Sequence, residues 1–294
     1  MLLAGSLAGG GPAGCADEVQ VLPADEIIAY VSMPGRFLRI WVTNGDGTAR
    51  RSLTAEGETS LEPSWSPSGD RIIFTSWLDG DPNIYTMAAD GSDWRQLTSD
   101  PGNDRSARYS PGGERIAFVS ERTGDPEIWV MAADGSRQTN ISRSPGSMDY
   151  DPEWSPDGEL IIFSSNRGPP ETGTPFGLWT MRPDGSDLRR LPVRNEARWP
   201  AWSPDGARIV YSGLSADGDT EIFVAGADGS GAVNLSRSAG VDEMPRWSPD
   251  GDWILFSTTR SGDSEVYAMR PNGEGLINIT RRSGWDAMAA WRPR

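Results

Sequence analysis

The stretch Trp65-Ser-Pro-Ser-Gly-Asp-Arg-Ile-Ile-Phe74 reads as the end of one strand, a tight turn and the start of another. It returns as Tyr109 to Phe118, Trp154 to Phe163, Trp202 to Tyr211 and Trp247 to Phe256. The leading aromatics lie 44, 45, 48 and 45 residues apart, and Trp291 follows 44 later. A second signal runs beside it. An aromatic residue and an Asp or Asn five positions on recur as Trp41/Asp46, Tyr85/Asp90, Trp129/Asp134, Trp179/Asp184, Phe223/Asp228 and Tyr267/Asn272. Gly follows each time, and an aliphatic residue stands seven positions past the turn: Leu53, Leu97, Ile141, Leu191, Leu235 and Ile279. Spacing this regular marks a repeat architecture.

The local code is β throughout. Arg71-Ile-Ile-Phe-Thr-Ser76 and Glu127-Ile-Trp-Val-Met131 are short, β-branched or aromatic, and bounded by turns. Pro-Asp-Gly and Ala-Asp-Gly suit hairpins, because Asp and Gly tolerate the positive φ such turns need. Each repeat therefore predicts four strands, a to d, with strand a ending at the Trp. Four strands every ~40–50 residues is the pattern of a β-propeller. At the N-terminal end, Ile27 to Ser32 matches strand b and Arg39 to Leu53 matches c and d, with no strand a before them. At the other end, Asp286 to Trp291 is a strand a without b, c or d. One blade is thus split between the two ends, which removes exposed sheet edges. The expectation is an all-β fold: a six-bladed propeller of four-stranded antiparallel blades over residues 24–294.

Composition narrows the chemistry. The 294 residues include 42 Asp or Glu and 27 basic residues, every one of them Arg, with no His and one Cys. Without His there is no Ser–His–Asp or Cys–His triad, imidazole base or His-ligated zinc. Without Lys there is no Schiff base. A net charge of −15 opposes phosphate neutralisation, so nucleic acid is not an expected partner.

Residues 1–15 are Leu-, Ala- and Gly-rich and end in Ala13-Gly14-Cys15. An apolar run closing on small residues reads as a signal segment, and Cys15 stands where a lipobox places its lipidated cysteine. Residues 16–23 then form a linker. No run approaches the ~18 apolar residues of a membrane span. The expectation is an exported chain in the bacterial periplasm or at the cell surface, touching the membrane by a lipid anchor only.

The Trp-Ser-Pro-Asp-Gly strand and turn, followed by Ile-Tyr-x-Met-x-x-Asp-Gly and Leu-Thr, resembles the WD-like repeat of TolB-type six-bladed propellers. The resemblance covers about residues 24–294. It implies the propeller fold, with strand a innermost, and an envelope binding role. With only residues 16–26 ahead of the first blade, the expectation is a propeller without the N-terminal α/β domain that TolB itself carries.

In such a blade the a–b and c–d turns share one face, and the b–c and d–a loops share the other. Length varies only on the second face. From the strand-b aromatic to the strand-c aromatic is 11 residues in four blades, 12 in one, and 16 between Phe163 and Trp179. Binding residues concentrate on variable loops held by a rigid scaffold, so the b–c/d–a face is the expected functional face. An insertion there, Asn166 to Gly177 with Pro169, Pro170 and Pro175, reads either as a partner contact or as rim decoration.

Five residues before each strand-a aromatic stand Ser60, Asp104, Asp149, Ala197, Asp242 and Asp286. With Glu62 and Asp151, these four aspartates are the expected acidic groups of the channel mouth. The repeated Asp also has a purely structural reading, as a cap for loop N–H groups. The candidates for partner binding are residues the repeat does not require: Arg105, Tyr150, Arg198, Trp199, Glu243 and Trp285. Aromatic residues beside Arg are the usual make-up of a binding hot spot. The repeated Trp itself is expected between blades, and Arg122, Arg167 and Arg260 are expected to hold loops. Asp79, Asp81, Asp217 and Asp219, spaced two apart in b–c loops, are candidate ligands for calcium, although they lack a twelve-residue loop with its closing Glu.

Taken together these features point to a monomeric, non-catalytic scaffold, with no cofactor, that holds a protein or peptide at the channel mouth. Two alternatives are compatible with the same residues: a calcium-dependent saccharide or cell-wall binder, and a glycan-active enzyme using a carboxylate pair such as Asp149 and Asp151.

Overall fold

A computed structural model describes residues 22–168, 175–193 and 196–294. The expectations for residues 1–15, for Cys15 and for the tip of the 166–177 insertion lie outside the described residues. Within them the chain forms six four-stranded antiparallel sheets and no helix. Blade 1 takes its strand a from the C-terminal end: Trp285–Trp291 pairs with Ile27–Met33, followed by Arg39–Asn44 and Arg51–Ser52. Blades 2 to 6 follow in chain order, with strand a at Ser60–Trp65, Asp104–Tyr109, Asp149–Trp154, Arg198–Trp202 and Asp242–Trp247. The split blade anticipated from the two ends is present.

The register follows the aromatic spacing. Tyr30 pairs with Trp41, Phe74 with Tyr85, Phe118 with Trp129, Phe163 with Trp179, Tyr211 with Phe223 and Phe256 with Tyr267. One apolar cluster fills each junction between neighbouring blades. Between blades 4 and 5, for instance, Ile162, Leu178 and Leu191 pack on Ile209, Tyr211 and Phe223. Each such side chain contributes about 1.5–3 kcal/mol by leaving water.

The repeated motifs have distinct structural jobs. In Trp-Ser-Pro-Asp-Gly the Ser hydroxyl donates to the Asp carboxylate and accepts the N–H that opens strand b. Ser203 does so to Asp205 at 2.5 Å and from Arg208 at 2.9 Å. The Trp reaches across a blade junction: Trp65, Trp154 and Trp291 donate Nε1–H to the carbonyls of Ala290, Arg108 and Arg246 in the preceding blade. The Gly of the c–d turn lets that turn touch the previous blade. At Gly185, φ is +86° and an added Cβ would lie 2.3 Å from the carbonyl oxygen of Ile141, so only Gly fits.

Strand a, the innermost strand, carries a feature that the repeat had not suggested. In every blade its pairing with strand b slips by a bulge, for example between Leu61 and Ser64 and between Tyr150 and Glu153. At each bulge one non-glycine residue sits in the left-handed region: Glu62, Ser106, Asp151, Trp199, Met244 and Met288, with φ from +50° to +57°. In four blades the next residue is proline, at Pro63, Pro152, Pro200 and Pro245. Proline has no N–H for a ladder, and a bulge is a place where none is required.

Candidate functional site

The bulge decides which strand-a side chains face the channel. In Ser60–Trp65, Ser60, Pro63 and Trp65 are buried while Leu61, Glu62 and Ser64 are half-buried. Regular alternation would have put the first position on the side of Glu62 and Ser64. The extra residue at the bulge flips it inward instead.

This corrects the expectation for Asp104, Asp149, Asp242 and Asp286. The first three are 0% exposed and the last is 3% exposed. They are structural ion-pair partners, not mouth groups. Asp104, Asp149 and Asp242 accept from Arg122, Arg167 and Arg260 at 2.8, 2.5 and 2.8 Å. Each Arg lies over the paired aromatics of its own blade, as Arg167 does over Phe163 and Trp179. In blade 1 Arg50, from the c–d side, takes this place over Tyr30 and Trp41, 3.8 Å from Asp286. Where the Asp is Ser60 or Ala197, no Arg follows strand b, and in blade 2 Trp94 covers Phe74 and Tyr85 instead. Acid and base are present or absent together, as expected when an unpaired buried charge is costly. Burial pushes the carboxyls of Asp104, Asp149 and Asp286 above the ordinary value, against the pull of their hydrogen-bond donors. Asp149 is thus enclosed and held by Arg167 and does not share the channel with Asp151.

The other two acidic candidates do face the channel. Glu62 and Asp151 line a narrow space in the channel with Ser106, Arg108, Trp199, Met244, Arg246 and Met288. Glu62 accepts from the Ser106 N–H at 2.7 Å, the Ser106 hydroxyl at 2.8 Å and the Thr75 hydroxyl at 2.9 Å. It thereby bridges blades 2 and 3. Asp151 accepts from Ser164 at 3.2 Å and from Arg198 at 3.4 Å.

Five of the six partner-binding candidates converge above this space. Arg105 and Arg198 lie 5.2 and 5.0 Å from the centre of the Tyr150 ring, which is therefore shared by two cations. Arg198 also lies 5.3 Å from the Trp199 ring and 4.2 Å from that of Phe176, a residue of the insertion that was not singled out from the sequence. Arg105 is ion-paired with Glu121, a second participant without a sequence signal. Burial raises the Glu243 carboxyl above its ordinary value, with Arg198 opposing and Asp151 reinforcing the shift. Arg105, Arg198 and Glu121 keep 31, 28 and 25% of their side-chain surface exposed. Trp285 is placed elsewhere, paired with Met33 in the blade 1 ladder.

The b–c loop aspartates are dispersed. Asp79 accepts from the Tyr85 hydroxyl at 2.5 Å, and Asp81 uses its backbone carbonyl to hold Asn83. Asp217 and Asp219 lie in an exposed turn. Among the described residues no three acidic, His or Cys side chains gather in a way that would hold a metal ion.

The model of the TolB beta propeller domain matches residues 20–212 and 192–294. The "Tol-Pal system protein TolB" of Polaromonas naphthalenivorans is 37% identical over 59 residues, 20% of this chain and 14% of that protein. The crystal structure of TolB from Acinetobacter baumannii superposes with a TM-score of 0.81 at 21% identity, covering 92% of this chain and 67% of that one. An oligogalacturonate lyase in complex with manganese shares the fold at a TM-score of 0.54 and 13% identity, covering 85% of this chain and 71% of the lyase. Matching across nearly all of its described length, the chain belongs to the TolB β-propeller family.

Proposed function

We propose that this propeller is a non-catalytic binding module of the bacterial envelope that holds a protein or peptide segment at the b–c/d–a mouth of its channel. The observation that carries this is the convergence of Arg105, Tyr150, Arg198, Trp199 and Glu243. None is required by the repeat, and they come from four successive blades to one half-exposed patch. An aromatic ring flanked by two guanidiniums, over a space lined by Met and Trp, has the composition of an interface hot spot. The relatives titled as Tol-Pal system proteins support an envelope role for this chain. Export, a lipid anchor at Cys15 and a monomeric state complete the proposal, which includes no cofactor.

Capture from an envelope extract tests it. The protein retains a discrete partner, and the Arg198→Ala/Trp199→Ala variant, still folded, retains about tenfold less or worse. Equal retention by both removes the mouth assignment. Retention of no protein, with hydrolysis of a glycan by the same sample, replaces the binding role with an enzymatic one.

A further inference from the structure

Below the bulge ring, one more strand-a position reaches the channel at Ser64, Arg108, Glu153, Arg246 and Ala290, while its counterpart in blade 5, Ala201, is buried in the core between blades 5 and 6. Three of these meet across the channel. Arg108 Nε lies 3.2 Å from Glu153 Oε2, and Arg246 Nε lies 4.0 Å from the same oxygen. Each guanidinium is steadied by its Nη1, which donates to the carbonyl of the preceding residue, Ala107 or Pro245, at 2.8 or 2.9 Å. Each Nη2 is left without a protein partner among the described residues. Two cations thus share one carboxylate, and the next acids along the channel, Glu62 and Asp151, are committed to other donors. The strain is electrostatic: burial, and after it the charge of Arg108, lowers the Arg246 guanidinium to about 10.

Arg108 and Arg246 can be approached from both ends of the channel, and the two approaches differ in charge. On the b–c/d–a side the space that the two arginines line also carries Glu62 and Asp151. At the a–b turn end, the vestibule leading to the same two arginines is walled by Trp202, Trp247, Trp291, Pro204 and Pro249, and its single carboxylate is Glu153. In a chain of net charge −15 this is a cationic, apolar-walled recess. A guanidinium fork matches a carboxylate in shape and charge. Arg108 and Arg246 keep only 13 and 16% of their surface exposed, so an anion must reach inward on a narrow stem.

We propose that the a–b turn end of the channel is a second binding site, which takes the C-terminal carboxylate of a peptide between Arg108 and Arg246. A chain end brings its carboxylate in along the channel axis with all of its chain trailing outward, whereas a side-chain carboxylate at mid-chain needs backbone to run across the recess on both sides of it. The apolar side chains preceding it lie along the Trp and Pro wall.

The test follows the Arg Nε–Hε signals by NMR while the protein is titrated with N-acetyl-Gly-Gly-Phe, with its C-terminal amide, and with N-acetyl-Glu-Gly-Phe amide. The signals of Arg108 and Arg246, assigned by their loss in Arg108→Gln and Arg246→Gln, shift saturably with the free acid alone. Arg246→Gln weakens this binding about tenfold or more. It leaves the melting temperature unchanged or raised, because Arg108 and Glu153 then form a balanced pair. No saturable shift in the wild-type protein, or equal shifts with either amide, overturns the proposal. Even if the variants fail to fold, the wild-type titration with acid and amide decides. Arg105→Ala, a change at the other mouth that touches neither arginine, leaves the titration saturable with the free acid, so failure here is distinguishable from failure at the other mouth.

Discussion

Asp149 and Arg167 are 2.5 Å apart at the buried start of blade 4, with the carboxylate 0% exposed and the guanidinium laid over Phe163 and Trp179. Removing one partner strands the other. Arg167→Ala is expected to cost about 3–5 kcal/mol. Blade 5, which has Ala197 and no such Arg, shows that the fold tolerates the loss of both. The double variant Asp149→Ala/Arg167→Ala should therefore cost less than the sum of the singles, by about 1–3 kcal/mol. Urea denaturation of the four proteins measures this coupling.

Glu243 gives a pH signature. Burial raises its carboxyl above the ordinary value of 4.5, so the folded state holds the proton more tightly than the unfolded chain. Its favourable contribution is complete below pH 4.5 and is lost as pH rises through the folded value. Glu243→Gln should melt at a higher temperature than wild type at pH 7, and the two curves should merge below about pH 4.5. A difference that stays constant with pH contradicts the stated burial.

The bulge ring predicts an unusual tolerance. Met288 has φ of +56° and is half-buried at the channel. A β-branched residue is strained there, so Met288→Val should cost about 1–2 kcal/mol. Met288→Gly relieves the backbone strain while losing packing, and should lie above Met288→Val in stability. Thermal melts of the two variants rank them.

Much of this was legible in the repeat. The Trp-to-Trp spacing, the Asp-Gly turns and the split first blade specify six blades, and the structure adds that the strand-b and strand-c aromatics stand opposite one another. The acidic column at Asp104, Asp149, Asp242 and Asp286 was misplaced for a definite reason. Counting back from each Trp assumes unbroken alternation, and the bulge adds one residue that reverses the face. A signal was available: Pro63, Pro152, Pro200 and Pro245 stand inside an inner strand, where proline belongs only at a bulge. The cluster at Tyr150 was found because departures from a repeat are visible in sequence. Phe176 and Glu121 were missed because their contacts depend on how separate loops fold back. The meeting of Arg108, Glu153 and Arg246 was equally hidden, since three blades must close around one axis before those columns face each other.

The most direct measurement of the central claim is photo-crosslinking in the native cells. A photoreactive residue replaces Glu243 at the b–c/d–a mouth in one protein and Asp134, exposed in a c–d turn of the opposite face, in another. A discrete adduct with another protein at position 243, absent at position 134, is the predicted result. An adduct at position 134 alone, or none at either, contradicts the assignment of that mouth as the site that holds a partner.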